Sequence, residues 1–135
     1  MTAGLPLRLH HIGIAVSSID EAAASYKQVF GEQSISPVYH ISTQQVNVCF
    51  VDIGSGSFLE LVESTAEDSG IHRLRKKGHT YYHLGYLTKE IEHTVEQLSA
   101  LHYKPMEYFH SEAFNGKRCI FLFSPDAHLI ELIEE

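Results

Sequence analysis

The sequence repeats itself, and the repeat limits what the chain can fold into. His10-His11-Ile12-Gly13-Ile14 returns as Tyr82-His83-Leu84-Gly85-Tyr86, 72 residues later. Phe58-Leu59-Glu60-Leu61-Val62-Glu63 returns as Leu129-Ile130-Glu131-Leu132-Ile133-Glu134, 71 residues later. Two matched segments at almost one offset mark a duplicated module. Between them, residues 20–30 read as a helix, with Ser18 as N-cap, Glu21 three residues on and Gly31 at the end. Residues 89–101 fill the same place in the second half, with Ile91, Val95, Leu98 and Leu101 at helical spacing. The other apolar stretches read as strands. Residues 34–41, 45–53 and 57–63 complete the first half, with Gly54-Ser55-Gly56 as a hairpin turn. Residues 105–110, 117–123 and 128–134 complete the second, with Ser124-Pro125-Asp126 turning the last pair.

Each half is therefore strand, helix, then three strands. Neither half can cover both faces of its own sheet, so the expected fold is α+β. Two tandem βαβββ modules would form a cupped eight-stranded mixed sheet with helices on the convex side. Module one covers about residues 7–64 and module two about 80–135, within a single domain of residues 1–135. The linker at 65–79 carries Ile71, Leu74 and several basic residues, and reads as a short helix.

Composition narrows the function classes. With 135 residues the chain has one domain's worth of core, and 44% hydrophobic with 20% charged residues is ordinary globular usage. No apolar run is long enough to span a bilayer, so a membrane is not an expected partner. Ten Lys and Arg against seventeen Asp and Glu give a net charge of −7, which leaves no positive field to hold nucleic acid. Residues 1–7 lack a basic stretch followed by an apolar one, and both cysteines sit in apolar runs. A cytoplasmic protein with free buried thiols is expected.

Four residues do not fit a core. Strand alternation puts Ile12, Ile14 and Val16 on one face and His11, Gly13 and Ala15 on the other. Leu84 and Tyr86 against His83 and Gly85 repeat the pattern. If the apolar face meets the helix, each histidine lies on the concave face, beside a glycine that leaves room for a ligand. Glu60 sits between Phe58 and Val62 on its own face, with Leu59 and Leu61 on the other, and Glu131 sits likewise among apolar neighbours. A buried carboxylate costs several kcal/mol unless it is paired, metal-bound or protonated. A rough two-fold between modules brings His11, Glu60, His83 and Glu131 to one cleft as a set of metal ligands. Mixed nitrogen and oxygen donors suit Zn, Ni, Co, Mn or Fe(II), with two positions of an octahedral shell left for water or substrate. The residues alone do not choose among these metals.

The residues resemble a known family. Leu9-His10-His11-Ile12-Gly13-Ile14-Ala15-Val16, the helix ending in Phe30-Gly31, Glu67-Asp68-Ser69, Gly116-Lys117-Arg118 and Ile130-Glu131-Leu132 look like the vicinal oxygen chelate superfamily. That superfamily includes glyoxalase I, methylmalonyl-CoA epimerase, extradiol dioxygenases and bleomycin or fosfomycin resistance proteins. The resemblance covers essentially the whole chain and lies nearest the epimerase and glyoxalase branch. It implies paired βαβββ modules around one divalent metal, with His11, Glu60, His83 and Glu131 at the four metal-binding positions. Epimerases of the family usually carry Gln at the position of Glu60 and a catalytic Glu at that of Val48. Bacterial glyoxalase I enzymes share the His, Glu, His, Glu order found here. Dioxygenases would use only His11, His83 and Glu131, and Glu60 argues against them.

The resemblance therefore implies a metal-dependent glyoxalase I-like lyase or isomerase. It would move a proton through an enediolate held on the metal, acting on a 2-oxo hemithioacetal or related thiol-derived substrate, with Glu131 or Glu60 as base. Alternatives are an epimerase resembling methylmalonyl-CoA epimerase, or a binding protein that traps a small molecule without chemistry. The expected partner is a small-molecule substrate, such as a glutathione or CoA conjugate. Arg73, Arg75, Lys76 and Lys77, or Lys117 with Arg118, are candidate anion contacts, and a solvated face is the simpler reading. Modules of this kind resemble halves of dimers, so a homodimer is expected.

Overall fold

The computed structural model describes residues 4–135, so the first three residues of the N-terminal segment lie outside the described residues. The fold is α+β, and the strand, helix, three-strand order occurs twice, with the first of the three divided into two short strands in the second half. Two compact units are present, one built on residues 11–82, the other on residues 83–135 with the chain leading up to His10.

In the first unit, β1 (Arg8–Val16) contributes its residues from His11 onward, followed by α1 (Ile19–Phe30), β2 (Tyr39–Ile41), β3 (Val46–Asp52), β4 (Phe58–Ser64) and α2 (Gly70–Lys76). The strands order as β2-β3-β4-β1; β1 runs parallel to β4, and the other two pairs are antiparallel. Ser18 caps α1 as its side chain accepts from the Glu21 N–H at 3.2 Å, and Gly31 follows the helix at a φ of 98°. Ile19 and Ala23 of the helix pack with Cys49, Val51 and Leu61, with Ile14, Val16 and Leu59 at the margin. The helix thus covers the face of β1 that carries Ile14 and Val16, as alternation requires.

The second unit repeats the plan with β5 (Tyr81–Thr88) from His83 onward, α3 (Ile91–Ala100), β6 (Lys104–Pro105), β7 (Phe109–Ser111), β8 (Lys117–Phe123) and β9 (Leu129–Glu134). Here β5 runs parallel to β9, β8 is antiparallel to β9, and both β6 and β7 pair with β8. Ile91 and Leu98 of α3 pack on Ile120, Leu122, Ile130 and Leu132, with Leu5, Leu7 and Tyr86 at the edge. Among the described residues, no helix is long and apolar enough to cross a membrane.

Both cysteines are free and buried, yet they face opposite ways. Cys49 lies under α1, whereas Cys119 pairs with Ile133 on the face of β8 turned away from α3. Burial, with the Glu60 carboxylate as second cause, pushes the Cys49 thiol up to about 11. At pH 8 such a thiol is about 0.1% thiolate. Iodoacetamide is therefore expected to modify Cys49 only after unfolding, as read by mass spectrometry. Equal labelling in buffer and in denaturant would contradict this picture of its surroundings.

Candidate metal centre

The first His–Glu pair is set by the parallel register of β1 on β4. His11 stands opposite Phe58 and Gly13 opposite Glu60, so the carboxylate's strand neighbour has no side chain to compete for the space. Both His11 and Glu60 are buried, at 0% and 4% exposure. The His11 Nε2 lies 3.5 Å from the Glu60 Oε1. Phe50 of β3, opposite Glu60 in the antiparallel register, sets its ring edge-on to the imidazole at 5.8 Å and to Phe58 at 6.2 Å. The pair is therefore enclosed on its strand neighbours' side by aromatic carbon, which raises the cost of any charge left uncompensated.

The second pair is built the same way. Gly85 of β5 stands opposite Glu131 of β9, and Phe121 of β8 lies opposite Glu131 on the other side. His83 and Glu131 are buried, with His83 Nε2 at 3.3 Å from Glu131 Oε1. The Phe121 ring meets the His83 ring edge-on at 5.2 Å and stacks on Phe109 at 5.6 Å. Phe50 and Phe121 thus do equivalent work in the two units. Sequence reasoning passes over both, although they stand 71 residues apart, at the same offset as the two glutamates.

The geometry places His11 with Glu60, and His83 with Glu131. Donors about 2.1 Å from a common ion at tetrahedral or octahedral angles stand about 3.0–3.4 Å apart. Separations of 3.5 and 3.3 Å within the two pairs are close to that spacing and long for a hydrogen bond.

Other candidates fall elsewhere. Arg118 does not share the face of Phe121: it lies toward α3, donating to Glu134 at 2.8 Å and to Glu92 at 2.7 Å, with its guanidinium over the Tyr108 ring. These carboxylates hold it firmly protonated and make it a structural clamp. Val48, on the Phe50 face of β3, is 2% exposed and pairs with Val62, so this position offers no titratable group. Its counterpart 71 residues on is Cys119, which puts the two cysteines one register position out of step.

A family model described as the Glyoxalase/Bleomycin resistance protein/Dioxygenase superfamily matches residues 10–134. The chain belongs to this superfamily. Within it, the uncharacterized protein YqjC of Bacillus subtilis is 35% identical over 130 residues, covering 94% of this chain and 91% of that one. The human mitochondrial methylmalonyl-CoA epimerase is 30% identical over 129 residues, covering 93% of this chain and 72% of that one. Among solved structures, a variant of Streptomyces coelicolor methylmalonyl-CoA epimerase in complex with 2-nitronate-propionyl-CoA aligns with a TM-score of 0.80 at 25% identity. It covers 95% of this chain and 96% of that one. The relatives of named activity given above are methylmalonyl-CoA epimerases, so the epimerase side of the superfamily is better supported than the lyase reading.

Proposed function

We propose that this chain is a metal-dependent isomerase that removes and returns the proton beside the thioester carbonyl of an acyl-CoA. The observation that carries the proposal is a buried carboxylate, Glu131, beside a buried histidine, in a chain that matches an epimerase over 93% of its length. His11, Glu60, His83 and Glu131 are assigned as ligands of one divalent cation. Their donor chemistry supports this, since two imidazoles and two carboxylates, each buried in its own unit, are donors suited to a divalent cation. Nitrogen and oxygen donors of this kind suit Ni, Co, Zn, Mn or Fe(II) alike. Bound there, a divalent cation supplies charge stabilisation to a carbonyl oxygen as negative charge develops on it.

The chain's own residues move the proton. Glu131 takes it from the carbon acid as general base and holds it on a carboxyl oxygen. Inversion needs a second group to return a proton, and with valine at position 48 the assigned group is Glu60, the counterpart carboxylate of the other module. The apolar Phe50 and Phe121 rings keep water from the carboxylates on their side, so bulk solvent does not compete for the proton in transit. A lyase acting on a hemithioacetal is the second reading, favoured by one observation: a carboxylate, not an amide, stands at position 60.

Deuterium incorporation tests the choice. Metal-loaded protein incubated in deuterium oxide with methylmalonyl-CoA is expected to place deuterium at the carbon between the two carbonyls. Conversion of a methylglyoxal–glutathione hemithioacetal without any exchange into the acyl-CoA would overturn the isomerase reading in favour of the lyase.

A further inference from the structure

Most of the guanidinium groups have evident protein partners. Arg8 pairs with Glu135, Arg118 with Glu92 and Glu134, and Arg73 donates to the Asp68 carbonyl. Arg75 differs. Its Nη2 donates to the Ser17 hydroxyl at 3.0 Å, while its Nε–H is buried and meets no acceptor among the described residues. No carboxylate lies within ion-pair distance of it among the described residues, although the side chain is half-buried. A guanidinium drawn partly out of water without a counter-charge is costly, and an anion that accepts its free donors removes that cost. Basic side chains in the last turn of a helix are favoured by its dipole, but that does not account for a buried Nε–H without an acceptor.

The surroundings fit an anion. Arg75 lines a groove of about 460 Å³ with Ser17, Ser64, Ile71, His72 and Lys76. On α2, His72 stands three residues before Arg75 and four before Lys76, which puts all three on one helix face. Among the described residues, no carboxylate lines this groove. A second groove, of about 430 Å³, meets the first at Arg75 and carries the hydroxyls of Ser18, Ser25 and Thr80 with one acid, Glu21, which makes no ion pair with Arg75. Ser17 follows the end of β1, six residues beyond His11, so about 20 Å of extended strand separates the grooves from the His11–Glu60 pair.

We propose that Arg75, with Ser17, Lys76 and His72, binds a phosphate-type dianion at a site separate from the His–Glu pairs. With a turn of its side chain toward the groove, the guanidinium presents Nε–H and an Nη–H as a parallel fork to two oxygens, the geometry that favours arginine over lysine for phosphate. Lys76 adds positive charge beside the fork, and His72 stands on the same helix face. The anion is either free phosphate or a phosphate group on a larger molecule.

Arg75 carries its own reporter, because an arginine Nε–H is resolved in nitrogen-15 correlation spectra. Titrating inorganic phosphate over a millimolar range is expected to shift this resonance saturably in the wild-type protein. Arg75→Gln should weaken binding at least tenfold, measured from backbone amides of Ser17 and Lys76. Arg73→Gln, which removes the same charge from the same helix, should leave the affinity within twofold. A shift with coenzyme A but not with its 3′-dephospho form or with inorganic phosphate would place the dianion on a larger ligand. No saturable shift with any of these, or equal weakening in both variants, would overturn the proposal. The readout needs neither metal nor turnover, so it stands or falls apart from the isomerase reading.

Discussion

Glu131→Gln is expected to lower deuterium exchange by about 10²–10⁴-fold, the range a positioned general base contributes. The substitution preserves size and an oxygen donor, so bound metal should survive while the base is lost. Glu60→Gln separates the two steps of the proposed reaction. An amide oxygen there resembles what the family's epimerases carry, so the metal should be retained and exchange should fall less than about tenfold. Inversion, which needs a returning group, should fall much further, because Val48, on the Phe50 face of β3, carries no titratable group to replace Glu60. Polarimetric or chiral-coupled assay of inversion beside mass-spectrometric exchange reads both. Undiminished exchange in metal-loaded Glu131→Gln would refute its role as base.

Leu61→Ala and Leu132→Ala are each expected to cost about 2–5 kcal/mol, with a fall in Tm of about 10 °C. Both side chains are fully buried, one packed under α1 and the other under α3. They stand 71 residues apart, each next to its module's glutamate, and their strand neighbours leave little room to collapse into the space. Chemical denaturation of the metal-free proteins gives the comparison. A loss below about 1 kcal/mol at either site would mean that the helix does not press on that strand as described.

Period-two alternation makes the site legible in the sequence itself. His11 and His83, each followed two residues later by glycine, and glutamates framed by apolar residues on both faces are facts of sequence that a strand converts into geometry. The same rule, applied to the helix-facing set of β8, places Arg118 beside α3 and its acids. What alternation cannot show is where pairing stops. The expected strand at 34–41 shortens to Tyr39–Ile41, because Pro37 lacks an N–H and the Ser36 hydroxyl accepts from Phe50 instead. Before it, Ile35 bridges to Val51, and the Ser36 N–H donates to the Phe50 carbonyl. The expected strand at 105–110 divides for the same kind of reason: β6 ends at Pro105, and β7 begins at Phe109. The linker helix is legible from Ile71 and Leu74, and Ser69 caps it through the His72 N–H. The unpartnered Nε–H of Arg75 is not, since periodicity assigns a residue to a face but does not say which of its donors find an acceptor.

If the two His–Glu pairs serve one ion, the stoichiometry of bound metal shows it most directly. Protein purified without an affinity tag, stripped, reloaded with a divalent metal and analysed for metal per chain should hold about one ion. His11→Ala and His83→Ala, which disable different pairs, should each abolish tight retention. Two ions per chain, with each variant losing only one, would show that the pairs act independently, and no retained ion would contradict the assignment of the four residues as metal ligands.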